Sequence, residues 1–280
     1  MKTILLPTDF SKNSINAIHY AIKLLAHVKC DFYLLNVQKA SSFISDDMMT
    51  VTSSATIYNT LIDAAKKSIS NIVSQIEKRS KNENHAFHSI VDYDNFIDAI
   101  NQISKKHHVD LIIMGTKGAS GLEKVIFGSN TVHVMQRCQI PVLAIPKGCT
   151  FKGLSKIAFT ANNLLGLDIK TLVPLRDLVS FYKSNLSVLH IADKNHLIQS
   201  QETIFDFFKI YFIKVNHDFI DTNIKEVYNV VHKYIVDNGI QMLSIMDEQH
   251  SFLERLFTKH PIETFAFAID IPFLVMKKQK

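Results

Sequence analysis

Cysteine is scarce in this chain of 280 residues. Cys30, Cys138 and Cys149 are odd in number and show no CxxC spacing. That argues against a disulfide framework or a zinc site, and for free thiols, buried or half-buried, in a reducing compartment. No apolar run approaches the ~20 residues of a membrane span. The opening Met1 to Leu6 meets Pro7 and Asp9 too early for a signal peptide. A cytoplasmic protein without membrane contact is therefore expected. A dense basic face is also lacking. Residues 1–150 carry 16 Lys/Arg against 12 Asp/Glu, and the remainder 15 against 14, so the net charge of +5 is thinly spread. Nucleic acid is not an expected partner. A small anionic ligand suits the excess better.

Histidine is plentiful, at 13 residues, but forms no ligand pattern. His107 and His108 are adjacent and point apart on a helix, and His85 and His88 have opposite parity on a strand. No predicted helix carries His-x-x-x-His. Nothing resembles a nucleophile elbow or a catalytic triad. No catalytic and no metal-ligating residue is assigned. Apolar residues make up 47% and charged residues 20%, a globular balance.

Hydrophobic patterning then sets the architecture. Short apolar runs at Ile4–Leu6, Phe32–Val37, His85–Val91, Val109–Met114 and Pro141–Ile145 read as strands. Helical periodicity follows a Ser11 N-cap and recurs over 59–79, 96–107 and 129–138, whereas residues 39–58 read as a loop. Strands alternating with helices imply a doubly wound parallel α/β sheet. The pattern then restarts. Strands are expected at 156–160, 186–191, 216–220, 241–246 and 271–276, with helices at 172–182, 203–212 and 224–236. The Phe-rich stretch 205–212 reads as core or partner interface more readily than as a ligand patch. A fixed offset of 131 carries Ile112 to Leu243, Leu122-Glu123-Lys124 to Leu253-Glu254-Arg255, Pro141 to Pro272 and Lys147 to Lys278. Two tandem domains are expected, 1–148 and 153–280.

Glycine is sparse as well. Four of the eight glycines are Gly115, Gly118, Gly121 and Gly128, between a predicted strand and a helix starting at Ser129. Glycines let backbone N–H groups approach an anion, and a following helix adds its positive end. An ordinary turn with glycines explains the spacing equally well. The segment is neither a Walker loop nor a dinucleotide fingerprint.

The combination resembles the universal stress protein family. That family's ATP signature is Gly, two residues, Gly, nine residues, Gly, then Ser or Thr, and Gly115, Gly118, Gly128 and Ser129 satisfy it. Residues 4–11, Gly121-Leu122 and 141–145 also look like family positions. One departure is Ile140 where the family usually has Cys before Pro141.

The resemblance implies an adenine-nucleotide α-hydrolase-like fold. It implies two five-stranded sheets paired as an intrachain pseudo-dimer through the strands near 142–145 and 273–276, with a further homodimer left open. It implies that Pro7, Thr8 and Asp9 stand on the adenine and ribose side, and that the Val37 backbone bonds adenine. Met114 and Gly115 would lie under ribose and phosphates, and Gly118, Gly128, Ser129 and Asn130 would hold the phosphates. A helix-capping carboxylate is the alternative reading of Asp9, and Lys117 reads as a phosphate neutraliser or a solvated loop lysine. The implied ligand is ATP or another adenine nucleotide, with magnesium (Mg) admitted beside the phosphates. The implied role is a stress-response sensor or regulator.

No general base is evident, so at most weak ATP hydrolysis is expected. A ligand-free scaffold and a nucleotide hydrolase are the alternatives. Glu123 is the only acid in the glycine segment, and its repeat match Glu254 marks it as structural. In the second half the offset puts Met246, Gln249, Lys259 and His260 at the four signature positions, and Thr160-Ala161-Asn162 in place of Pro7-Thr8-Asp9. One nucleotide site per chain is expected.

Overall fold

The computed structural model describes residues 2–38, 54–79, 81–93, 95–116, 128–161, 164, 167–192, 201–221, 227–247 and 270–277. The first half runs β1 (Lys2–Pro7), α1 (Lys12–Leu24), β2 (Cys30–Val37), α2 (Ser54–Arg79), β3 (His85–Asp92), α3 (Phe96–His107), β4 (Leu111–Gly115), α4 (Ser129–Arg137) and β5 (Val142–Ile145). The second runs β6 (Lys156–Ala161), α5 (Val173–Tyr182), β7 (Asn185–Ala192), α6 (Gln201–Tyr211), β8 (Val215–Asp221), α7 (Val227–Asn238), β9 (Met242–Asp247) and β10 (Phe273–Lys277).

The ends of these elements follow local chemistry. Ser11 caps α1, its side chain accepting from the Ser14 N–H, and Asn95 caps α3 through the Ile97 N–H. Pro174 sits in the first turn of α5, where its missing N–H costs nothing. The expected loop over 39–58 is too long at its far end. α2 begins at Ser54, because Ser and Thr at a helix start read locally as loop.

The strands form one sheet in the order β3-β2-β1-β4-β5-β10-β9-β6-β7-β8. Each half is a parallel 3-2-1-4-5 arrangement, and the halves join where β10 pairs antiparallel with β5. The two five-stranded sheets are thus one ten-stranded sheet. Helices α1, α2, α5 and α6 pack one face and α3, α4 and α7 the other, giving a three-layer sandwich with a core on each side. Central strands covered on both faces must be apolar, as β4 and β5 are throughout and β1 is from Ile4 to Pro7.

The same registers recur in both halves. Ile4 faces Leu111 as Ile157 faces Met242, and Gly115 faces Ile145 as Met246 faces Met276. The 131-residue offset is therefore a structural equivalence over β4, β5, β9 and β10. Contacts between the halves also run along α1. Asn16 Nδ2 donates to the Cys149 carbonyl at 2.9 Å, Tyr20 meets Phe151 edge-on at 5.5 Å, and the Tyr182 hydroxyl donates to the Leu24 carbonyl. Within the second half, Phe208 of α6 is fully buried against Phe159, so this part of the Phe-rich stretch is core. Ile210 and Tyr211 are exposed.

Candidate functional site

Strand order reverses direction between β1 and β4. The connection from β1 leads away through α1 to β2, and that from β4 leads the other way through α4 to β5. The chain diverges there, at the switch point where open α/β sheets form a ligand crevice outside the carboxyl ends of the strands. Pro7, Thr8, Asp9, Val37, Met114, Gly115, Gly128, Ser129 and Asn130 all belong to strand ends or to the helix start at this edge. Lys117 and Gly118 lie outside the described residues, as do Gly121 and Glu123.

The β1 wall is a tight turn. The Thr8 N–H donates to the Leu35 carbonyl at 2.8 Å, and the chain then leaves the sheet with Phe10 in a left-handed conformation at φ 63°. The buried Thr8 hydroxyl accepts from the Phe10 N–H at 3.1 Å and lies 3.0 Å from the Ser14 hydroxyl. The Asp9 carboxylate accepts from the Ser11 N–H at 3.0 Å while remaining exposed. It therefore orders the entry to α1, although Ser11 itself is the cap.

The β2 wall is an opened ladder. Leu35 points its carbonyl at β1, so by alternation the Val37 N–H and C=O point the same way. β1 has already turned off. In a continued parallel ladder the Val37 N–H would donate to the Thr8 carbonyl. Asn36 Nδ2 donates to that carbonyl instead, at 2.7 Å. Gln38 Nε2 in turn donates to Asn36 Oδ1. Among the described residues no backbone partner stands opposite Val37 on the β1 side.

The floor is β4 and the start of α4. The Gly128 N–H donates to the Thr116 carbonyl, so the described ends of the glycine segment close on one another. The buried Thr131 hydroxyl donates to the Gly115 carbonyl at 2.9 Å. Gly128 is the N-cap of α4 and supplies no side-chain cap, and no acid lies in the first turn. Ser129, expected as a possible cap, is the first helical residue; it and Asn130 are exposed. Among the described residues, neither the cap nor the first turn of α4 thus brings a side-chain counter-charge to its positive end.

Gly115 has a second reason to be glycine. A Cβ there would lie 3.0 Å from the Asn13 carbonyl oxygen, because the first turn of α1 presses on β4. In the second half α5 begins much farther along the chain from β6, and Met246 is buried at the equivalent place. Sequence reasoning missed Asn36, Ser14 and Thr131. Each is an ordinary polar residue whose role appears only when two strand ends meet. It also missed the pair His190 and His217, whose ring nitrogens lie 2.9 Å apart under Phe205.

The family model for the universal stress protein family matches residues 1–146, more than half of the chain. The chain belongs to the universal stress protein family. A curated universal stress protein of Methanocaldococcus jannaschii is 26% identical over 146 residues, covering 52% of this chain and 82% of that protein. A universal stress protein structure from Archaeoglobus fulgidus covers 98% of both chains with a TM-score of 0.74 at 15% identity. A universal stress protein from Pseudomonas aeruginosa covers 99% of this chain and 93% of its own, with a TM-score of 0.57 at 12% identity. At such identities these two structures speak for the fold. Their coverage shows that the doubled fold recurs over nearly the whole of each matched chain. Among the described residues no helix is long and apolar enough to cross a membrane, and no group of three or more His, Cys, Asp or Glu could hold a metal ion.

Proposed function

We propose that this universal stress protein binds one adenine nucleotide, ATP or a close relative, in the crevice of its first half and acts as a stress-response sensor or regulator. The observation that carries the reading is Val37. Its N–H and C=O face the crevice together, a donor and an acceptor on one residue. The Watson–Crick edge of adenine offers the matching acceptor N1 and donor N6. Guanine reverses the pattern and would set O6 against the carbonyl. The exposed Asp9 carboxylate suits ribose hydroxyls, and the uncapped start of α4 with Gly128, Ser129 and Asn130 suits phosphates. Met114 and Gly115 form the floor, and Lys117 and Gly118 complete the motif in sequence. Magnesium would enter with the phosphates.

The reading also takes residues 1–148 and 153–280 as two domains, the second with a degenerate motif. Met246 stands where Gly115 does, with no uncapped glycine loop in the sequence after it. The three free thiols fit a reducing, cytoplasmic setting.

Calorimetric titration of the full chain with ATP tests this. One site per chain is expected, with Gly118→Val abolishing binding and leaving the circular dichroism spectrum unchanged. Two equal sites, or undiminished binding by the variant, would overturn the assignment. A ligand-free scaffold is favoured by one observation, that packing against Asn13 alone accounts for Gly115. Absence of any adenine nucleotide binding would select it.

A further inference from the structure

Asn36 does something that no glycine motif encodes. It is 4% exposed and sits at the fork where β1 leaves β2. Its side-chain amide donates to the Thr8 carbonyl at 2.7 Å, the acceptor that the Val37 N–H would meet if the ladder ran one step further. Gln38 Nε2 donates to Asn36 Oδ1, which fixes the amide with its nitrogen toward Thr8. We infer that Asn36 is a positioning residue that holds the β1–β2 fork open and so keeps the Val37 backbone free to recognise an adenine base. This rests on the adenine-nucleotide reading above.

The second half provides an internal contrast. Ile4 faces Phe32 in the first half and Ile157 faces Leu186 in the second, so the place of Asn36 falls on His190 and that of Thr8 on Ala161. His190 points its ring nitrogen at His217, 2.9 Å away on β8, and among the described residues makes no bond to the β6 end. The half without the glycines is also without the amide that props the fork.

The geometry also explains why the residue must be a neutral amide. A carboxylate would turn an acceptor toward the Thr8 carbonyl. An aliphatic side chain would leave that carbonyl unsatisfied, and the Val37 N–H is the donor that the ladder register offers to replace the lost bond. Closing that bond extends the sheet by one rung and removes the donor from the crevice.

The test joins amide hydrogen exchange with calorimetry on the full chain. In the ligand-free parent the Val37 amide should exchange freely, and saturating ATP should protect it. In Asn36→Leu it should be protected before ATP is added, and ATP affinity should fall about tenfold or more, the equivalent of one hydrogen bond. Gln38→Ala, which releases the amide without altering Asn36, should weaken ATP binding in the same direction and to a smaller extent. It keeps the test open if Asn36→Leu does not fold. Undiminished ATP affinity in the folded variants would overturn the role of Asn36 and leave the nucleotide site standing. A parent that binds no adenine nucleotide would remove the nucleotide reading, and this inference with it.

Discussion

Leu143 and Leu274 face each other across the antiparallel β5–β10 pair, and each is the other's repeat equivalent at the 131-residue offset. The pseudo-twofold axis of the molecule therefore passes through this pair. An antiparallel contact between equivalent residues is self-complementary, the arrangement expected of an isologous dimer interface. Here it has become an internal seam with both leucines fully buried.

Truncating either leucine should be costly. Leu143→Ala and Leu274→Ala are each expected to lose about 2–5 kcal/mol of stability, because the seam is backed by helices on both faces. Urea unfolding followed by circular dichroism measures this. A loss below 1 kcal/mol would show that the seam is loosely packed.

Gly115→Ala should destabilise the first half without touching a ligand. Its new Cβ would meet the Asn13 backbone at 3.0 Å, and backbone cannot swing aside as a side chain can. About 1–3 kcal/mol is expected from overpacking. Stability should be measured without nucleotide. A neutral result would mean that α1 does not press on β4, and that this glycine serves the ligand alone.

Acid should weaken the second half. Burial, with His217 beside it, pushes the His190 imidazole down to about 4, and burial also lowers His217. The unfolded chain then takes up protons first as pH falls. Stability is complete above the ordinary histidine value of 6.5 and is lost from there down toward about 4. A single histidine supplies a slope of at most about 1.4 kcal/mol per pH unit. His190→Leu should flatten this part of the curve in urea titrations at pH 7 and pH 5. Equal slopes for parent and variant would exclude the pair as its source.

Thiol chemistry should be slow in the native protein. Burial pushes Cys30 up to about 12 and Cys138 up to about 11, and it raises Cys149 as well. With Ellman's reagent at neutral pH, the two buried thiols should react only after denaturation, when all three become available. Rapid native labelling of Cys30 or Cys138 would contradict their burial.

Much of this was legible in the chain itself, for identifiable reasons. β1, β4 and β5 lie inside the sheet, covered on both faces, and show as apolar runs at Ile4–Leu6, Leu111–Met114 and Val142–Ile145. Ser11 marks the start of α1 because a cap needs only its own local backbone. α2 starts at Ser54, five residues before its periodicity does, since Ser54 and Thr56 favour loops until a helix forms around them. His190 and His217 lie 27 positions apart and meet only because β7 and β8 are parallel neighbours in register.

The amino-acid sequence by itself determined the alternation of strands and helices, the repeat at 131 residues and the two unequal halves. These depend on periodicity and on residue identity, which a linear string preserves. The tertiary structure decided that Leu143 meets its own equivalent, that Gly115 makes room for α1, and that Asn36 takes the acceptor Val37 would have used. Such relations depend on which chemical groups arrive within hydrogen-bond or van der Waals distance after the chain has folded. Sequence separation carries no record of that distance.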